Sequence, residues 1–149
     1  MFTVDVSCLV DRPLRDVFDY VADFRNAPDW QPQLDSVRLD GGVFPHGTQV
    51  VEIHHFLGVR VEALGDLVDW RPLDGFTVRG RSRLLRVESR YAFAREPGGV
   101  RTSLSLTMDP RGPARLMEPV LRRQLWHSLT MSFVCLAKVL ETALDGPGR

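Results

Sequence analysis

Apolar and polar residues alternate along this chain in two rhythms, and the switch between them divides it into a sheet-forming stretch and a helical one. The clearest two-residue rhythm runs from Val100 to Met108. Thr102, Leu104, Leu106 and Met108 fall on one side, and Ser103, Ser105 and Thr107 on the other. Side chains alternate faces along a strand, so this pattern marks an antiparallel sheet with one packed and one wet face. Weaker versions of it predict strands over 2–10, 34–39, 48–56, 59–70, 76–81 and 84–95. Turn residues separate them: Gly41-Gly42, the tight Leu57-Gly58 connection, Arg71-Pro72-Leu73-Asp74-Gly75 and Glu96-Pro97-Gly98-Gly99. Residues 43–47 read as a loop, and Gly65, inside the fourth strand, as a bulge.

The helical rhythm appears twice. Asp11 and Pro13 mark a helix start, after which Leu14, Val17, Phe18, Val21 and Phe24 share one face and Arg15, Asp16 and Asp19 the other. Asn26-Ala27-Pro28-Asp29-Trp30 breaks that helix and fits a short second turn, with Trp30 buried at the edge of the core. From about Pro113 to Leu144 a single amphipathic helix is predicted. At about 100° per residue, Leu121, Leu125, Ser128, Leu129, Ser132, Leu136, Val139, Leu140 and Ala143 share a face. Met117, Phe133 and Cys135 flank it, Trp126 lies at its margin, and His127 lies nearly opposite. Pro119 lacks a backbone N–H, so a bend is expected there.

A helix of this length needs a broad apolar surface, and only the strands can supply one. The predicted class is α+β, a helix-grip fold. A curved antiparallel sheet of about seven strands wraps around a long C-terminal helix, with two short helices after strand one. One domain spans 1–145, and residues 146–149 are expected to fray. Folds of this shape often keep a ligand cavity between helix and sheet.

Composition then narrows the function. A chain of 149 residues buries enough surface to need no disulfide or metal staple. Formal net charge is zero, which argues against a general nucleic-acid binder or a basic membrane-surface module. Lys138 is the only lysine, which reflects either a GC-rich genome or a use for arginine's fixed fork. Cys8 and Cys135 form no C-x-x-C pair and read as buried thiols of a reducing compartment. No basic segment followed by an apolar one opens the chain, and no apolar run approaches the roughly 18 residues of a membrane span. The expectation is a cytoplasmic protein without a membrane span, monomeric or homodimeric. Leu116, Val120 and Val134 sit on the outer side of the long helix as surface residues or a dimer contact.

Phosphate-binding glycine motifs, H-E-x-x-H and G-x-S-x-G are all missing. Neither a cofactor nor a metal site is therefore expected. His54 and His55 are adjacent on a strand, point to opposite faces and cannot jointly hold a metal. One of them must face inward, where it would be placed for acid–base work near neutral pH. Val51, Ile53 and Leu57 share a face with His55. A two-residue turn at Leu57-Gly58 would instead set His54 beside Phe56 and Val61, and both readings stay open. Tyr91 shares a mostly apolar face with Val87, Ser89 and Phe93, so its ring is expected inside, with a hydroxyl able to donate to a ligand. Arg60 with Glu62, and Arg79 with Arg81, share strand faces. They read as solvated charges, with an inward arginine that stabilises an enolate or carboxylate as the alternative. Ser128 and Ser132 either bond back to a carbonyl one turn earlier or edge the cavity. The candidate walls are Trp30, Ile53, Val61, Val78, Arg79, Phe93, Leu104, Leu106, Met117, Leu121, Leu125, Ser128 and Ser132.

The segments Val10-Asp11-Arg12-Pro13-Leu14-Arg15-Asp16-Val17-Phe18-Asp19-Tyr20-Val21-Ala22-Asp23 and Asn26-Ala27-Pro28-Asp29-Trp30 carry a resemblance to a known superfamily. Phe56-Leu57-Gly58, Gly98-Gly99-Val100-Arg101-Thr102 and Pro110-Arg111-Gly112 add to it. Together they resemble the START-like, or Bet v 1-like (SRPBCC), superfamily, and within it the polyketide cyclase/dehydrase and lipid-transport group. The likeness extends over essentially the whole chain. It implies a helix-grip fold and a hydrophobic small molecule, polyketide- or lipid-like, as ligand. It also implies, as the alternative, cofactor-independent ring closure or dehydration, with His54 or His55 as acid–base and Tyr91 as donor. Residues 26–32 depart from the Tyr-Pro-x-Phe-Leu-Pro-Trp signature of the quinone-binding branch. Fold alone does not choose among the remaining activities.

Overall fold

The computed structural model describes residues 1–56 and 58–144. Strand β1 (Phe2–Val10) leads into helix α1 (Leu14–Ala22), a 3-10 turn at Phe24–Asn26 and the short helix α2 (Ala27–Trp30). Six strands follow: β2 (Leu34–Asp40), β3 (Gln49–Phe56), β4 (Val59–Arg71), β5 (Gly75–Arg81), β6 (Leu85–Glu96) and β7 (Gly99–Pro110). A 3-10 segment, Gly112–Met117, enters helix α3 (Glu118–Leu144). The strands form one antiparallel sheet in the order β1-β7-β6-β5-β4-β3-β2. The expected tail at 146–149 and the connection at Leu57 lie outside the described residues.

The period-two reading of β7 holds residue by residue, with Val100, Thr102, Leu104, Leu106 and Met108 buried and their neighbours half-exposed. The paired row Phe2, Met108, Val87, Gly80, Gly65 and Val50 crosses the concave face from β1 to β3. Gly65 is not the bulge its composition suggested. It pairs regularly with Val50 and Gly80, and the register shifts instead between Leu67 and Asp69. Glycine is required there because an added Cβ would lie 2.8 Å from Val50 Cγ1 and 3.0 Å from Val78 Cγ1.

Helix α3 lies along β1 on the concave side and is tied at both ends. The amino group of Met1 sits 3.3 Å from Glu118, and the Arg122 guanidinium lies over the Phe2 ring at 5.4 Å. Near the far end, Arg12 donates to the Glu141 carbonyl at 2.6 Å and the Asp11 amide donates to the Glu141 carboxylate at 3.1 Å. Pro119 does not bend the middle of a helix. The chain changes from 3-10 to α geometry at Glu118, so Pro119 falls in the first turn, where a missing N–H leaves no bond unmade. Leu121, Leu125, Leu129, Leu136 and Leu140 are buried along the predicted stripe, and Trp126 and His127 are exposed.

One end of the interior is packed with rings. Phe18, Trp70, Phe76 and Phe93 meet with centroids 5.1–6.2 Å apart, and Phe24 and Phe44 close on Phe76. Aromatic pairs of this kind add about 0.5–1.5 kcal/mol each beyond area burial.

Candidate functional site

The other end is hollow. A cavity of about 140 Å³ lies between the concave face and α3. Its floor is the glycine pair Gly65–Gly80, where two strands carry no side chains. Val78, Val87, Leu104, Leu106, Met108, Leu125 and Leu129 form apolar walls. A void of this size suits one six-membered ring, since an apolar cavity of about 150 Å³ takes up benzene.

Polar groups enter the cavity from β3, from the strands beside it and from the segment before β2. The pairing Phe56↔Val59 places His54 opposite Val61, so His54 faces the cavity, as the two-residue-turn reading required. Glu52, two residues earlier on the same face, also lines it. The His54 ring nitrogen Nε2 and Glu52 Oε2 are 2.6 Å apart, with both side chains about one-fifth exposed (23% and 20%). That contact leaves Nδ1 as the nitrogen available to a second partner. Deeper in, Tyr91 stacks on Phe76 at 4.6 Å, and its hydroxyl has no hydrogen-bond partner among the described residues. Burial pushes its proton affinity well above the ordinary phenol value, and the Glu52 carboxylate adds to the effect. Tyr91 is thus a neutral O–H, suited to donating a hydrogen bond rather than acting as a phenolate. Gln31, Gln33, Ser82, Ser89 and Arg81, the last 3.5 Å from the Asp66 carboxylate, complete the polar lining.

Of the residues expected at the site, His54, Tyr91, Val61, Val78, Leu104, Leu106 and Leu125 come together around this cavity. The others lie elsewhere. His55 is on the opposite face, exposed and paired with Asp35. Ile53 shares that face by strand alternation. Arg79 points outward and pairs with Glu88 at 3.3 Å. Trp30 is fully buried against Phe133, with ring centroids 5.7 Å apart. Phe93 is on the inner face but belongs to the aromatic end. Met117 precedes α3 and is exposed, and Leu121 is buried one turn before the cavity-lining Leu125. Ser132 is wholly buried; its hydroxyl donates to the Ser128 carbonyl at 2.8 Å and lies 3.3 Å from Gln33 Oε1. The back-bonding alternative therefore describes it. Ser128 is half-buried and outside the lining.

Glu52, Gln31 and Gln33 were missed by sequence reasoning, while Ser89 was placed on the face of Tyr91 without being named as a wall. Glu52 was within reach of it, because a residue two before an inward histidine shares its face. Among the described residues no group of three or more His, Cys, Asp or Glu is placed to hold a metal ion. Among the described residues, no helix is long and apolar enough to cross a membrane.

A seven-stranded sheet gripping a long helix around an internal space is the helix-grip fold. Residues 1–141 match the family described as polyketide cyclase/dehydrase and lipid transport, and the chain belongs to that family. Among solved structures it is similar to the ZhuI aromatase/cyclase of Streptomyces sp. R1128. The TM-score is 0.84 at 12% identity, covering 99% of this chain and 98% of that one. A START superfamily protein from Mycobacterium smegmatis gives 0.81 at 13% identity over 95% and 98% of the two chains. The protein TTHA0849 from Thermus thermophilus gives 0.80 at 14% identity over 97% and 100%. At these identities the likeness shows the fold. No curated protein matches the sequence significantly.

Proposed function

We propose that the cavity between sheet and α3 binds a small hydrophobic molecule that carries a hydrogen-bonding group. Its apolar body would lie against Leu104, Leu106, Leu125 and Leu129 and its polar end against Glu52, His54 and Tyr91. The observation that carries this reading is a ring-sized void whose walls are apolar on the helix side, with a few polar groups on the strand side. Apolar contact supplies affinity, and the few polar groups fix orientation. A suitable probe is 4-fluorophenol, one ring with one hydroxyl, followed by ¹⁹F NMR. Leu125→Trp fills the void from the helix side and is expected to lower its affinity at least tenfold. Unchanged affinity would place the ligand elsewhere.

The Glu52–His54 contact favours a second reading, acid–base ring closure or dehydration of a polyketide-like substrate. His54 would take a proton through Nδ1 while Glu52 holds the ring. Tyr91 would donate to the carbonyl oxygen that gains negative charge. The enclosed shape would hold a flexible polyketone folded for reaction. In turnover assays with a candidate polyketide, His54→Ala and Tyr91→Phe are each expected to lower the rate by about 10²-fold or more. His55→Ala is expected to leave it unchanged. Equal rates for all three variants would remove the acid–base reading and leave the binding one.

A further inference from the structure

The zero net charge hides an uneven distribution. The register sets the starts of β1, β4 and β6 and the ends of β3, β5 and β7 at one end of the sheet. There the Arg111 amide donates to the Leu84 carbonyl at 2.7 Å, which holds the 3-10 entry to α3 beside the β5–β6 turn. Ser82 and Leu85, on either side of that turn, line the cavity, so this end is its rim. Large apolar side chains stand out from it: Leu116 is 86% exposed, Val59 60%, Leu84 46% and Met117 45%.

Between them, Arg60, Arg83, Arg115 and Arg123 are exposed and make no ion pair among the described residues. Several other arginines on the outer face of the sheet are paired, although Arg86 there is exposed and makes no ion pair among the described residues. Arg71, Arg79, Arg90 and Arg101 each have a carboxylate within 3.4 Å. Exposed leucines next to unpaired arginine forks leave both chemistries unsatisfied within the monomer.

We propose that this rim is a docking surface for an anionic phospholipid bilayer, on which the protein settles with the cavity mouth toward the membrane. Guanidinium forks match phosphate geometry, and leucine and methionine side chains enter the boundary beneath the headgroups. A second copy meeting the same rim would set arginine against arginine, which is costly. A folded acidic partner would have to match apolar residues carried on three separate elements, whereas a fluid surface adapts to them. The bilayer is also the phase in which an apolar cargo dissolves.

The test is co-sedimentation of the full chain at low ionic strength with phosphatidylcholine vesicles, with and without phosphatidylglycerol. Binding is expected only where phosphatidylglycerol is present. It is expected to vanish near 1 M salt, where the screening length falls to about 3 Å. Arg83→Gln and Arg115→Gln should each weaken it about fivefold, and Leu116→Ser should weaken it without changing the thermal midpoint. Failure to bind the anionic vesicles, or binding that none of these substitutions alters, would overturn the proposal. So would a dimer in light scattering that Leu116→Ser abolishes, because the rim would then belong to a second copy. Because 4-fluorophenol binding is measured without vesicles, the cavity reading and the docking reading fail independently.

Discussion

Two stretches of the same strands, a few residues apart, give opposite interiors. In one, Phe76 on β5 stands opposite Tyr91 on β6 and Trp70 on β4, and rings fill the space under α1. Four residues along β5, Gly80 stands opposite Val87 and Gly65, and the space under α3 is empty. Backbone pairing is regular at both rows. Side-chain volume on the strands therefore decides where the hollow falls, with α1 over the packed end and α3 over the hollow.

The largest test of that contrast is truncation at each end. Phe76→Ala at the ring-packed end is expected to cost about 3–5 kcal/mol, because its neighbours cannot collapse into the space. That is a large part of the roughly 5–15 kcal/mol a domain has in total. Val87→Ala, beside an existing void, should cost about 1 kcal/mol. Urea unfolding measures both, and equal losses would mean that the two ends are packed alike. A middle-sized effect belongs to the floor. Gly65→Ala forces a Cβ against Val50 and Val78 and is expected to cost about 1–3 kcal/mol in the same assay. A neutral result would show that the strands there part more easily than the contacts suggest.

The effect confined to one pH range is a loss of stability in alkali. Burial raises the Cys8 thiol from 9.0 to about 11, with Arg101 opposing and Glu141 adding to the shift. An unfolded chain releases this proton near pH 9 and the native one only near pH 11. The stabilisation is therefore intact below pH 9 and lost as pH rises through 11. Tyr91, raised by burial and by Glu52, acts in the same direction at higher pH. Cys8→Ala should flatten the fall in the urea midpoint between pH 9 and 11, and an unaltered slope would assign it to other groups.

Much of the fold was legible because β7 and α3 each have one wet and one dry face, which writes their periods into the sequence. Strand β3 was not legible in this way. Val50, with Glu52 and His54, faces in, while Val51 and Ile53 lie on the other side, so apolar residues mark both faces and parity alone could not choose between His54 and His55. Only the pairing of Phe56 with Val59 fixes it, and Glu52 then follows. Depth along a strand leaves no periodic mark either. Phe93 and Tyr91 share a face, yet Tyr91 borders the cavity and Phe93 sits among rings. Gly65 suggested irregularity, but what distinguishes it is the close approach of two valines, a contact between strands that no local pattern records.

The most direct test of the cavity reading is a methyl-region NMR titration with 4-fluorophenol. The account predicts shifts gathered on Val78, Val87, Leu104, Leu106, Leu125 and Leu129, with the ring-packed end and the outer face unmoved. Shifts centred instead on exposed methyls such as Val68 or Leu116, or none at saturating probe, would contradict it.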